Sequence, residues 1–272
     1  MDYLYHYTTV DTLKLILENK TFRFKSLENM DDSEEAETED YGNLGRFCYV
    51  SCWTENSNES IPMWKEYTEP EKGVRLRFPT DIFETVNDIG LSEEQMVQLN
   101  IPVEQFKKSN PLQYTKGLAE IEREDKVKFM PQTVKLASIT YTKDTELLYP
   151  KVHSVHGTNI SIENKLIGKF KHIDWEFQKE WRYQLFTHPI GMFTLIKNTQ
   201  HGIPFNSNEF LNSIGNNPIE YEYFDIPFKE EALKGLEIVM SPIISQESKD
   251  QLNDILKTIP EHTLLPSSQK WR

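Results

Sequence analysis

Apolar and polar residues alternate along several short segments of this chain, a pattern that predicts strands. The longest alternation runs from Trp175 to Phe186, and successive strand side chains point to opposite faces. One face carries four aromatic residues and a leucine: Trp175, Phe177, Trp181, Tyr183 and Leu185. The other face carries carboxylate, amide and guanidinium groups: Glu176, Gln178, Glu180, Arg182 and Gln184. The apolar face requires a core, whereas the polar face either lines a cleft or is the wet side of an amphipathic strand.

The start of the chain predicts a strand, a short helix and a second strand. Alternation from Tyr3 to Thr8 places His6 within the first strand. An apolar stripe at helical spacing follows, made of Val10, Leu13, Ile16 and Leu17. Residues 21–26 alternate again, with Arg23 on the polar face. His6 and Arg23 therefore flank one short helix, and His6 is either a ligand contact or a hydrogen-bonded core histidine.

The remaining chain predicts strands separated by unevenly placed helices. Strand patterns occupy residues 46–53, 73–78, 134–142, 219–226 and 236–240, and helices are expected to begin at Ser60 and Ser245. Residues 80–130 are polar and helical in pattern, which predicts a helical insertion. This order of elements favours an α+β fold with mixed or antiparallel sheets, formed by a single domain that spans residues 1–272.

The net charge of −13 changes the range of expected partners. Neutralisation of phosphates supplies most of the affinity of sequence-indifferent nucleic-acid binders, so this class is disfavoured. The charge is uneven, because residues 28–40 hold eight acids and no base and predict a solvated or mobile loop. A cluster of basic residues precedes and enters the long alternation: Lys165, Lys169, Lys171, His172, Lys179 and Arg182. The cluster leaves a local anionic ligand open, despite the negative net charge.

Other sequence signals are weaker. No apolar run is long enough for a transmembrane helix and the first residues lack the features of a signal peptide, so a cytoplasmic protein with no membrane partner is expected. Cys48 and Cys52 lie too far apart on one strand for a disulfide and are expected to be buried thiols. His153 and His156 have a spacing that could chelate a metal on a helix, but no carboxylate ligand is near in sequence. We therefore expect no metal site.

Several short motifs resemble the bacterial domain of unknown function family 2971. They are Leu4 to Thr8, Phe22 to Phe24, Ser51 to Trp53, Met63-Trp64 with Tyr67, Gly73, and Trp175 with Glu180 to Arg182, and the resemblance extends to about Pro242. Two departures are visible. The family's Asn-Asp-Pro-x-Glu sequence is Asp31 to Glu35 here, and the acid that usually lies two residues before the motif glutamate is Gln178.

The layout is also similar to that of ADP-ribosyltransferases, in particular the DNA-modifying toxins of toxin–antitoxin systems. This resemblance implies an NAD-using enzyme of toxin or anti-phage defence type, with Glu180 and His6 as catalytic residues. His6, Thr8, Arg23 and Tyr67 would bind NAD as the substrate. Gln178 and Arg182 would contact the acceptor, which is a nucleic acid, a nucleotide or a protein.

The chemistry of NAD⁺ suits a single carboxylate. The nicotinamide leaving group is already cationic, so cleavage of its N-glycosidic bond needs no general acid of the kind an O-glycosidase uses. Glu180 would hold the ribose 2′-hydroxyl and stabilise the oxocarbenium charge, while Arg23 and the basic cluster would neutralise the diphosphate. On this basis, loss of Glu180 is expected to abolish activity and leave folding unchanged.

Two alternatives remain open from the sequence. The chain is also interpretable as a non-catalytic interaction protein of the same fold, in which residues 28–40 bind a basic partner and Glu180 pairs with Arg182. A nuclease centred on Glu124, Asp125 and Lys126 is a third and weaker hypothesis, because such triplets are common in charged helices.

Overall fold

The computed structural model describes residues 1–102, 112–124, 127–156, 159–203, 221–259 and 261–271. The strands are β1 (Tyr3–Thr9), β2 (Thr21–Ser26), β3 (Glu37–Thr38), β4 (Gly42–Asn43), β5 (Cys48–Thr54), β6 (Gly73–Pro79), β7 (Thr85–Asp88), β8 (Leu112–Thr115), β9 (Lys135–Ser138), β10 (Thr140–Thr142), β11 (His153–His156), β12 (Asn159–Ile162), β13 (Phe170–His172), β14 (Glu180–Phe186), β15 (Tyr223–Pro227), β16 (Leu236–Met240) and β17 (His262–Leu265).

The helices are short and lie between the strands. They are α1 (Val10–Asn19), α2 (Ile61–Glu66), α3 (Glu93–Gln98), α4 (Leu118–Arg123), α5 (Thr145–Leu148), α6 (Met192–Gln200) and α7 (Gln246–Leu256). Tight 3-10 turns occupy Leu27–Asn29, Ser33–Ala36, Leu44–Phe47, Asn164–Leu166, Ile173–Gln178 and Glu230–Leu233. The predicted α+β class is confirmed.

One large sheet organises the molecule. Its main path runs β15-β2-β5-β1-β6-β16-β17, and β14 pairs with both β5 and β9. Most neighbours are antiparallel, but β16 and β17 are parallel, so the sheet is mixed. Its inner face packs on helices α1 and α7 through a cluster of aliphatic and aromatic side chains that includes Leu13, Phe22, Trp53, Tyr183 and Leu252.

The long alternation does not form one strand. Ile173–Gln178 is a 3-10 helix, and β14 begins only at Glu180. The His172 side chain caps this helix by accepting from the Asp174 amide, and Lys179 ends it with a left-handed φ of 43°. The prediction of a strand from Trp175 was wrong, because side-chain alternation over six residues does not exclude a capped turn. Gln178 therefore precedes the strand.

The acidic segment is folded and does not form a solvated loop. Two 3-10 turns and the β3–β4 pair occupy it, and Asp32, Glu35 and Ala36 are buried. The Asp40 carboxylate accepts from the amides of Val152 and His153 at 3.1 and 2.6 Å. Several of the acids are thus used to satisfy backbone donors, a role that composition does not reveal.

Residues 80–130 contain sheet as well as helix. In the described part, β7 and β8 pair antiparallel, and α3 and α4 are six-residue helices. The helical pattern thus accounts for only part of this segment, and its status as an insertion stays a prediction. Asp125 and Lys126, two residues of the nuclease hypothesis, lie outside the described residues.

Three weaker sequence signals concern the paired histidines, the two cysteines and a membrane-spanning helix. His153 and His156 lie on strand β11 and not on a helix, and no group of potential ligands able to hold a metal occurs among the described residues. Cys48 and Cys52 are free thiols; Cys48 is buried and Cys52 is partly buried. Within the described ranges, no helix is long and apolar enough to cross a bilayer.

Candidate functional site

A cavity of about 250 Å³ lies where two strands separate. Strands β2 and β1 both pair with the same edge of β5: Lys25 is opposite Val50 near its start, and Tyr5 is opposite Thr54 at its end. On the other edge of β5, Glu180 is also opposite Thr54. Paired residues share a face of a sheet, so the cavity opens on the face that carries Glu180.

Five of the residues predicted from the sequence lie in the wall of this cavity. They are His6, Arg23, Tyr67, Gln178 and Glu180. These residues come from two strands, the end of helix α2, the end of a 3-10 helix and the start of β14. Residues far apart in the chain thus converge on one space, which sequence alone could only suggest.

Glu180 is the centre of a buried network of charges. Its carboxylate accepts from Arg182 Nε at 2.6 Å, Arg182 Nη2 at 3.1 Å and Lys171 Nζ at 3.2 Å. Its backbone amide donates to the Tyr141 hydroxyl at 2.8 Å. Glu180, Arg182 and Lys171 are each at most 5% exposed. The network fixes the position of this carboxylate at the end of β14.

A second carboxyl group belongs to the same network. Glu35 Oε2 accepts a hydrogen bond from Arg182 Nη2 and lies 3.9 Å from Lys171 Nζ. Glu35 Oε1 is buried and has no hydrogen-bond partner among the residues that the structure describes. Glu35 also lines the cavity. The site therefore contains two carboxyl groups with very different numbers of partners.

The two carboxyl groups respond oppositely to their surroundings. Burial alone would raise the pKa of Glu180, but the charges of Arg182 and Lys171 outweigh burial and lower the pKa. At Glu35, burial dominates over the same two cations and raises the pKa. The difference agrees with the geometry, because Glu180 accepts three charged hydrogen bonds and Glu35 accepts one. Glu180 is therefore the more acidic of the two groups.

A chain of hydrogen bonds leads from this network to the side of the cavity formed by α2. Lys171 Nζ donates to Gln178 Oε1 at 2.9 Å, and Gln178 Nε2 donates to the Tyr67 hydroxyl. Burial raises the pKa of Tyr67, so its hydroxyl stays protonated and can donate to a ligand. The Gln178 side chain is thus hydrogen-bonded at both ends, and it positions Lys171 and Tyr67.

His6 lies on the face of the sheet opposite to Glu180, and its ring reaches the cavity from that side. Its ring packs against Trp53 and Phe22, at centroid distances of 4.9 and 5.9 Å, and Nδ1 lies 2.9 Å from the Cys52 carbonyl oxygen. Burial lowers the pKa of His6, so the ring is neutral near pH 7 with its proton on Nδ1. Nε2 is then the acceptor that remains for a ligand.

The other predicted residues differ in their relation to the cavity. Arg23 lies at the exposed rim, where Nε and Nη2 donate to the Asp225 carboxylate at 3.0 and 3.1 Å and the guanidinium stacks on Tyr223. Thr8 is buried on β1 and does not line the cavity. Arg182 is fully buried behind Glu180, so it orients the carboxylate and has no direct access to an acceptor.

Sequence reasoning missed Glu35 as a site residue and gave no specific role to Lys171. Glu35 was hidden among eight acids in a segment with no apolar periodicity. Apart from the family resemblance of the segment, the signal that could have found it is Ala36, an apolar residue directly after it, which packs in a second apolar cluster with Leu27. Lys171 appeared only as one member of a basic cluster, because strand β13 is too short to show alternation.

Comparison with protein families gives one match. Residues 63–183 match the model of the family described as "Protein of unknown function (DUF2971)", which supports part of the resemblance seen in the sequence. The matched range includes Tyr67, Lys171, Gln178 and Glu180, whereas His6, Arg23 and Glu35 precede it. No curated protein and no solved structure matched significantly.

Proposed function

We propose that the cavity is the active site of an enzyme that cleaves the nicotinamide N-glycosidic bond of NAD⁺ and transfers ADP-ribose to an acceptor. The observation that carries the proposal is the convergence of His6, Arg23, Tyr67, Gln178 and Glu180 on one cavity. Such convergence of perturbed titratable groups in a cleft is typical of active sites.

The size and charge of the site suit part of a dinucleotide. A cavity of about 250 Å³ is smaller than the usual range for a drug-sized ligand, so it accommodates the nicotinamide riboside end. The diphosphate would lie over Arg23 and Lys25 at the rim. The ion pair between Arg23 and Asp225 is half exposed, and such surface pairs contribute little stability. Arg23 can therefore exchange Asp225 for a phosphate.

The reaction needs one well-placed anion. The bond between ribose C1′ and nicotinamide N1 breaks, and its electron pair goes to N1, which becomes neutral. Glu180 remains ionised and stabilises the positive charge that develops on the ribose. An acceptor nucleophile then bonds to C1′ and loses its proton. Lys171 and Arg182 hold Glu180 in place without reorganisation during the reaction.

Release of nicotinamide from NAD⁺ tests this proposal. The Glu180→Gln variant keeps the shape of the side chain and removes its charge, so we expect nicotinamide release to fall about a hundredfold or more. Glu176→Gln is the matched control, because Glu176 is exposed in the preceding 3-10 helix and its loss leaves the rate unchanged. Release by the wild type that is no faster than in buffer would refute the proposal.

A second candidate function rests on the same network. The two cations beside Glu180, Arg182 and Lys171, already bond to it, as expected for a structural ion cluster in a binding protein without turnover. The exposed acids Glu28, Asp31, Glu34 and Glu39 would then contact a basic partner. In that case Glu180→Gln lowers thermal stability, and the wild type releases no nicotinamide and binds no NAD⁺ by calorimetry.

A further inference from the structure

We propose that Glu35 is the general base of this site, which accepts the proton of the acceptor nucleophile while Glu180 stabilises the ribosyl cation. The inference rests on the proposed function and deepens it. Two carboxyl groups in different environments are a recurring arrangement for dividing acid–base and electrostatic roles.

The carboxyl groups of Glu35 and Glu180 lie close to each other at the cavity. Glu35 Oε2 and Glu180 Oε2 both accept from Arg182 Nη2, so these two oxygens lie within about 6 Å of each other. Both residues line the cavity. A nucleophile that approaches a ribose held by Glu180 is therefore within reach of Glu35 through direct contact or one water molecule.

The hydrogen bonding of the Glu35 carboxyl group is incomplete. Buried side-chain oxygens almost always have a hydrogen-bond partner, yet Glu35 Oε1 has none among the described residues. The side chain of Glu35 is 1% exposed. A ligand with an O–H or N–H group would satisfy this oxygen. Burial of an acceptor without a hydrogen-bond partner costs free energy, so a role for this oxygen is expected.

A capped turn and the packing of the next residue fix the position of Glu35. It lies in the 3-10 turn Ser33–Ala36. Asp32 caps the start of this turn, because its carboxylate accepts from the Glu34 amide at 3.1 Å. Ala36 anchors the end of the turn in an apolar cluster.

The surroundings of Glu35 also make its carboxylate a stronger base than an exposed glutamate. The charged and titratable groups that face it are Arg182, Lys171, Glu180, Cys48, Cys52 and Tyr67. Burial raises the pKa of both thiols and of the tyrosine, so these three groups stay neutral. Burial also raises the pKa of Glu35 itself, and a base works best when its pKa approaches the working pH.

The proposed step balances as follows. The oxygen or nitrogen of the nucleophile forms a bond to ribose C1′ as the bond from C1′ to nicotinamide N1 breaks. The proton of the nucleophile moves to Glu35 Oε1 and later to solvent. No oxidant, reductant or metal takes part.

Competition between water and azide provides the test. Water must lose a proton when it attacks C1′, whereas the azide anion has none to lose. In the Glu35→Gln variant, hydrolysis of NAD⁺ to ADP-ribose should fall about a hundredfold, while formation of ADP-ribosyl azide persists at the wild-type rate. Glu39→Gln, an exposed carboxylate of the same segment, is the control that keeps both rates.

The outcomes separate this inference from the proposed function. Loss of both rates in a folded Glu35→Gln variant, or loss of neither, overturns the role as a base while the wild-type activity stands. A wild type that releases no nicotinamide overturns the proposed function and this inference together. If the variant does not fold, the pH dependence of the wild-type protein provides the test. The ratio of azide product to hydrolysis product must rise as the pH falls, because Glu35 becomes protonated. A ratio that stays constant with pH contradicts the role of Glu35 as a base.

Discussion

At the scale of single residues, Glu180 differs most from its expectation. The sequence predicted a carboxylate whose loss is silent for folding. The structure places it between Arg182 and Lys171, all three buried. Removing one partner of a buried ion pair leaves an uncompensated charge, which is strongly destabilising. Glu180 therefore affects both stability and the proposed activity, and a variant must be checked for folding before its rate is interpreted.

Replacement of Glu180 by alanine is expected to lower the free energy of unfolding by about 3–5 kcal/mol. Arg182 and Lys171 would share only Glu35, which accepts a single short bond from Arg182. Urea denaturation at neutral pH measures the change, with Glu176→Ala as the exposed control. A loss below about 1 kcal/mol, the range of surface pairs, would show that the network is solvated.

At the scale of elements, local pattern predicted some strands well and turns poorly. The predicted strand at residues 3–8 and the predicted helix with its apolar stripe from Val10 to Leu17 agree closely with β1 and α1, because alternation and helical periodicity are local signals. The 3-10 helix before β14 was missed, since its end depends on the left-handed conformation of Lys179. The acidic segment was missed because its order depends on contacts far away in the chain, such as Asp40 with Val152.

A pH effect is expected where the strand pair β7–β8, helix α4 and helix α6 meet. Glu122 on α4 accepts from the Tyr114 hydroxyl at 3.2 Å and the Met192 amide at 3.0 Å, and burial raises its pKa from 4.5 to about 7. Because the folded-state pKa is the higher one, protonated Glu122 contributes stability below pH 4.5 that is lost as the pH rises through 7.

The Glu122→Gln variant mimics the protonated form at every pH. We expect it to be more stable than the wild type at pH 8 by about 1–3 kcal/mol, and equal to it near pH 4. Thermal unfolding at several pH values checks this, with Glu120→Gln on the exposed side of the same helix as the control. An equal effect at both ends of the pH range would contradict the assignment.

At the scale of the whole molecule, the site results from how distant segments are brought together. The resemblance suggested His6, Arg23 and Glu180 as a set, and the divergence of β1 and β2 along β5 brings all three to one cavity. Thr8 is not in that cavity, and Arg182 supports it from behind. Glu35 could not be predicted, because its partners Arg182 and Lys171 lie more than a hundred residues further along the chain.

The most direct test of the central claim is a crystal structure of the wild-type protein with a non-cleavable NAD⁺ analogue. We expect the nicotinamide riboside in the cavity, with its 2′-hydroxyl at hydrogen-bond distance from the Glu180 carboxylate and with the diphosphate of the analogue at Arg23, which has left Asp225. An analogue bound elsewhere, or a cavity that stays empty at saturating analogue, would contradict it.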